Sequence, residues 1–279
     1  MEQLLKVGHI DLCLETFGAP DAPPILLIHG ASAAMDFWET EFCERLAAGP
    51  RYVVRYDHRD TGRSVHYPAG QPGYTGPDLV HDPLGILDAL GIEKAHVVGL
   101  SMGGGIAQRL AADHADRLRT VTLIATSPLG DDLPAPADRI RAAFAADAPP
   151  TDWSDPAAAL DALVAEERLY GGTHPYDEPA RRVLLQHMLD RTHDVEAAMT
   201  NHWILEDDSA PLRPQLPGIT VPTLVLHGTE DPLLPPAHGE ALAREIPGAR
   251  LVLLESAGHE LPRPVWDVAV PAILEHTRN

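Results

Sequence analysis

Ser101 stands in Gly99-Leu100-Ser101-Met102-Gly103, a serine set between two glycines. A serine hydroxyl is a weak nucleophile near neutral pH, and it becomes useful where an imidazole takes its proton and a carboxylate fixes that imidazole's tautomer. Further along, acid before base, come Asp231 in Gly228-Thr229-Glu230-Asp231-Pro232 and His259 in Glu255-Ser256-Ala257-Gly258-His259. The three together would attack an acyl carbon, pass through a tetrahedral intermediate and leave an acyl-enzyme for water to cleave. The negative oxygen of that intermediate needs N–H donors. One is the Met102 N–H, directly after the nucleophile; the Ala31 N–H, in His29-Gly30-Ala31-Ser32, is the second.

Each of these residues also has a plainer reading. A serine between glycines is a common structural turn, and among 15 histidines most are solvated or structural. Position separates His259 from the rest, because it follows the last β-like run and lies downstream of the acid loop. Glu230 is the rival acid, expected to point away from the base, and His29 is expected to be a core-packed imidazole in a turn.

Residues so far apart in the chain meet only if regular elements deliver them to one place. Short apolar, β-branched runs recur at Ile25 to Ile28, Tyr52 to Tyr56, His96 to Gly99, Val121 to Ala125, Thr223 to His227 and Leu251 to Leu254, with helical patterns between them. That alternation predicts an α/β fold with a mostly parallel central sheet flanked by helices. Ile10, Leu12 and Leu14 alternate with polar neighbours and predict an antiparallel strand ahead of it. Ser101 falls where a strand turns sharply into a helix, and Gly104 and Gly105 extend a small-residue face that lets this helix approach the sheet. Asp82 is expected to cap a short helix beginning at Pro83.

From Pro128 to Gly218 the strand signal disappears. Residues 128–218 are expected to form an inserted helical cap between two parts of the core, 1–127 and 219–279. Within it Ala157 to Leu169, Glu178 to Leu189 and Val195 to Leu205 predict helices, the first opened by Ser154 or Asp155 before Pro156. Leu133 to Pro150 is expected to be an irregular surface connection.

Composition narrows the functions open to such a chain. A formal charge of -20 repels phosphate backbones and anionic membranes, so nucleic acid and membrane are not expected partners. Two cysteines are too few for a disulfide scaffold, and Met1 to Ile10 lack the basic start and apolar run of a leader, which predicts a cytoplasmic protein. No run is long and apolar enough to span a bilayer. Histidines and carboxylates nowhere take a metal-ligand spacing, and the glycines lack a dinucleotide-binding spacing, so neither metal nor cofactor is expected.

Three stretches carry a resemblance to a known family: Arg55-Tyr56-Asp57-His58-Arg59-Asp60-Thr61-Gly62-Arg63-Ser64, then His96 to Gly103, and the tail from Ala237 through Gly258-His259-Glu260 to Arg278. The chain resembles the α/β-hydrolase superfamily, and more narrowly the aclacinomycin methylesterase type of bacterial hydrolase. Asp60 stands where the superfamily generally has glycine, which makes the match narrower. The resemblance implies an α/β-hydrolase fold and removal of a methyl ester from a bulky, polyketide-like small molecule.

Specificity would come from the cap, since the core supplies generic acyl-transfer machinery. Candidate substrate contacts are Trp153, Tyr170, His187, Met188, Met199 and Trp203, with Phe37 and the Met102 side chain from the core; at helical spacing such residues are also ordinary packing. Within catalysis a lactonase or a cofactor-free perhydrolase (haloperoxidase) stays open. In another class stand a small-molecule receptor and a repurposed lyase or cyclase.

Overall fold

The structure, a computed structural model, describes residues 2–146 and 150–278. Among the described residues eight strands form one sheet: β1 (Gln3–Val7), β2 (Ile10–Phe17), β3 (Pro24–Ile28), β4 (Tyr52–Tyr56), β5 (Ala95–Leu100), β6 (Leu118–Ile124), β7 (Thr223–Gly228) and β8 (Arg250–Leu254). Their spatial order is β1-β2-β4-β3-β5-β6-β7-β8; β2 runs antiparallel to both neighbours and every pair from β4 onward is parallel. β1 carries too short and mixed a pattern, with Gln3 and Lys6 among its five residues, to be read from sequence.

The parallel strands are apolar on both faces because both faces are covered. Leu26 and Ile28 of β3 face one core layer, with helices α2 (Gly76–Ala89) and α3 (Met102–Asp113); Ile25 and Leu27 face the other, where α1 (Thr40–Ala48) and α9 (Trp266–His276) pack. α8 (Ala237–Glu245) joins the first layer through Leu242.

α2 begins seven residues before the expected start at Pro83. The Asp78 carboxylate accepts the Thr75 N–H at 2.8 Å and closes its first turn, and Pro83 is carried inside the helix. Asp82 is no cap: it is buried in a bidentate pair with Arg59, at 2.8 Å on each arm, which fixes the loop after β4.

The chain between β6 and β7 carries α4 (Asp138–Ala145), α5 (Pro156–Tyr170), α6 (Glu178–Arg191) and α7 (Val195–Thr200). The Asp155 carboxylate caps α5 by accepting the Ala157 N–H at 2.9 Å. α4 replaces the middle of the expected irregular connection, because Ile140 is fully buried and anchors the turn; residues 147–149 of that stretch lie outside the described residues. α7 stops five residues short of Leu205 and tightens into a 3₁₀ turn over Asn201–Trp203, whose side chains bond across to the core. α5 and α6 share a small core of Leu163, Val164, Leu185, Met188 and Leu189. Leu212 and Leu216, near the end of the segment, pack back onto the main core.

Arg191 ties α6 to the sheet. Its guanidinium bonds Glu2 at 2.6 Å, Asp57 at 2.7 Å, and Asp36, with its side chain almost fully buried. A buried cation needs such partners, and removing one of them typically costs about 3–5 kcal/mol.

Candidate active site

Ser101 ends β5 and opens α3 with φ +54°, a left-handed conformation that an L-residue holds only under constraint. The flanking glycines make the turn sterically feasible: a Cβ on Gly99 would lie 2.1 Å from the Gly103 carbonyl oxygen, and one on Gly103 would lie 2.2 Å from that of Ile28. The Ser101 N–H donates to the Ile124 carbonyl at 2.9 Å, locking the turn to β6.

The structure brings the three predicted residues into one hydrogen-bonded chain. His259 Nδ1–H donates to Asp231 Oδ2 at 2.9 Å, which leaves Nε2 to accept the Ser101 hydroxyl, also at 2.9 Å. Asp231 follows β7 and is buried, and its second oxygen accepts the N–H groups of Leu233 and Leu234 at 2.9 and 2.8 Å. Glu230 points elsewhere, accepting the N–H and hydroxyl of Thr173 at 2.7 and 3.0 Å. His259 follows β8, and its N–H donates to the Tyr170 carbonyl at 2.9 Å, so the end of α5 seats the base loop.

Sequence reasoning passed over His227 on β7. It donates from Nε2 to the Leu234 carbonyl at 2.7 Å and sits 3.5 Å from Asp231 Oδ2; burial holds its pKa below the usual histidine range. It therefore stays neutral beside the acid.

Among the described residues neither the Ala31 N–H nor the Met102 N–H donates to a protein acceptor. Gly30 brings the Ala31 loop close, since a Cβ there would lie 3.3 Å from that of Ser101. His58 holds the loop by donating from Nε2 to the His29 carbonyl at 3.0 Å. The His29 ring packs on Phe37 and Trp38, and burial pushes its pKa down to about 3.

A cavity of about 1220 Å³ lies above Ser101 and His259, between the carboxyl end of the sheet and helices α5 and α6. Six expected contacts line it: Phe37, Tyr170, His187, Met188, Met199 and Trp203. Trp153 does not; it packs against the α5–α6 core instead, because its place just before α5 turns it toward those two helices. The Met102 side chain likewise packs against the main core, away from the cavity. Leu163 and Leu184, which the sequence did not single out, complete the apolar wall from α5 and α6.

A family model described as alpha/beta hydrolase fold matches residues 23–262. The rhodomycin D methylesterase DauP of Streptomyces sp. (strain C5) is 35% identical over 99% of this chain and 98% of its own length. The rhodomycin D methylesterase DnrP of Streptomyces peucetius has the same identity and coverage. Among solved structures, the enol-lactonase from Burkholderia xenovorans LB400 is 29% identical with a TM-score of 0.75, covering 99% of this chain and all of that one.

Proposed function

Because the chain belongs to the α/β-hydrolase family, we propose that it is a serine carboxylic ester hydrolase that removes a methyl ester from a polycyclic, polyketide-like small molecule. The observation that carries this reading is the Ser101–His259–Asp231 relay, with both contacts at 2.9 Å, at the floor of a cavity of about 1220 Å³. Pockets that bury drug-sized ligands measure roughly 300–1,000 Å³, so this one admits a fused-ring acid. The methylesterases aligned along nearly the whole chain, cap included, support the choice of ester.

In this mechanism Ser101 Oγ attacks the ester carbon while His259 Nε2 takes its proton, and Asp231 stabilises the resulting imidazolium. The carbonyl oxygen becomes an oxyanion facing the Ala31 and Met102 N–H groups. His259 then protonates the departing methoxide, releasing methanol and leaving an acyl–Ser101 ester. A water deprotonated by His259 cleaves that ester and frees the carboxylic acid. We place the protein in the cytoplasm, where its two buried thiols, Cys13 and Cys43, would stay reduced.

Methanol release from methyl esters of aromatic polycyclic acids tests the proposal. The expected result is turnover that falls by about 10⁶ in Ser101→Ala. Absence of methanol release, or turnover that survives that substitution, overturns it. The enol-lactonase likeness favours lactone opening as a second reading, in which the alcohol stays tethered to the acid. Ring opening without methanol release would select it.

A further inference from the structure

Asn201, His202 and Trp203 form a strap from the cap onto the loop after β3. The His202 ring, 7% exposed, bridges two backbone groups: Nδ1 accepts the Ser32 N–H at 2.9 Å, and Nε2–H donates to the Arg59 carbonyl at 2.9 Å. Trp203 Nε1–H donates to the Ser32 hydroxyl at 3.0 Å, and its ring borders the cavity. Asn201 anchors the strap by donating to Asp60 at 2.9 Å and accepting the Gly70 N–H at 2.8 Å.

We propose that His202 is a positioning residue for the oxyanion loop, holding the Ser32 amide so that the Ala31 N–H next to it faces the carbonyl oxygen above Ser101. The inference rests on the acyl-transfer reading of the cavity and adds to it a part played by the cap. Ser32 lies at φ +61°, a conformation that a serine keeps only when something holds it. The peptide bearing the Ala31 N–H thus lies between two tethered points, the His29 carbonyl held by His58 and the Ser32 N–H held by His202. Donors for an oxyanion act through fixed placement, and an error of about 1 Å costs about 10²-fold in rate. Both His202 nitrogens are used in one tautomer, and protonation would turn Nδ1 from acceptor to donor. Burial, with His58 next to it, pushes the His202 pKa down to about 3, so the acceptor persists at working pH.

Three variants and two readouts test this. In His202→Ala, kcat for a methyl or aryl ester is expected to fall about 10²-fold with KM nearly unchanged, and affinity for an aryl boronic acid, which mimics the tetrahedral intermediate, to fall in parallel. His202→Asn, which keeps an acceptor close to the Nδ1 position, is expected to recover most of that loss; His202→Leu is not. Hydrogen exchange of the backbone at 29–33 is expected to speed up in His202→Ala and to return toward wild type in His202→Asn. Wild-type kcat in His202→Ala overturns the inference, as does a loss of kcat and KM together that Asn leaves uncorrected. Unchanged exchange at 29–33 overturns it whatever the enzyme hydrolyses. A wild-type protein without ester turnover would sink the hydrolase reading, and the exchange measurement would still decide the role of His202.

Discussion

At the scale of single residues, the two adjacent acids after β7 give a sharp contrast. Asp231 spends one oxygen on His259 and the other on two backbone N–H groups, whereas Glu230 spends both on Thr173. Asp231→Asn keeps the shape and removes the charge that favours the Nδ1–H tautomer, so kcat is expected to fall by about 10⁴. Glu230→Gln keeps an acceptor for Thr173 and is expected to retain kcat within about threefold, as a surface substitution does. Steady-state kinetics of both variants on one ester checks this; an equal loss would mean that the relay runs through the wrong acid. That Ser101, Asp231 and His259 would meet was legible in the sequence, because each follows a β run and sits by glycine or other small residues. His202 was not. Its meaning lies in a contact with Ser32, 170 residues away, and one histidine among 15 carries no mark of such a contact.

At the scale of elements, neighbouring glycines of α3 have opposite roles despite identical chemistry. A Cβ on Gly103 would collide with the backbone carbonyls of Ile28 and His29, at the end of β3 and just past it, whereas one on Gly105 meets nothing within 4 Å. Gly103→Ala is therefore expected to push α3 off β3 and lose both stability and turnover. Gly105→Ala is expected to stabilise by about 0.5–1 kcal/mol, since alanine is the better helix former there. Urea unfolding of the two variants separates them, and a destabilised Gly105→Ala would contradict the open space seen beside it. The parallel strands were readable because burial on both faces demands unbroken apolar runs, as in Ile25 to Ile28. Where tertiary contacts override local signals, reading failed: Pro83 is carried inside α2, Ile140 anchors a helix within a proline-rich stretch, and Trp153 turns in against α5 and α6.

At the scale of the whole molecule, several buried histidines make stability depend on pH. His96 on β5 is 1% exposed; its Nδ1 bonds the Thr120 hydroxyl at 2.9 Å while Nε2 has no partner among the described residues. Burial, helped by Arg51 and Arg119, pushes its pKa down to about 4. Unfolded, the ring would titrate near pH 6.5, so below that value the unfolded chain binds a proton that the folded chain refuses. The stability tied to His96 is thus complete above about pH 6.5 and drains away as pH falls toward 4. Between pH 7.5 and 5 the loss is about 2 kcal/mol, from roughly 1.5 pH units at 1.36 kcal/mol each. Carboxylates with raised pKa, such as Asp36 and Glu260, have the opposite sign: they favour the fold at low pH, and that advantage fades as pH rises through their folded values. Total stability therefore mixes several titrations, and a difference between two proteins isolates one. Replacing His96 by leucine removes its titration and leaves the others in place, at the price of an unpaired Thr120 hydroxyl that costs the same at every pH. From pH 7.5 to 5 the wild type is expected to lose about 2 kcal/mol more than His96→Leu, read by urea unfolding at both values. A stability gap between the two that holds constant across this range would show that His96 accepts its proton inside the fold as easily as outside it.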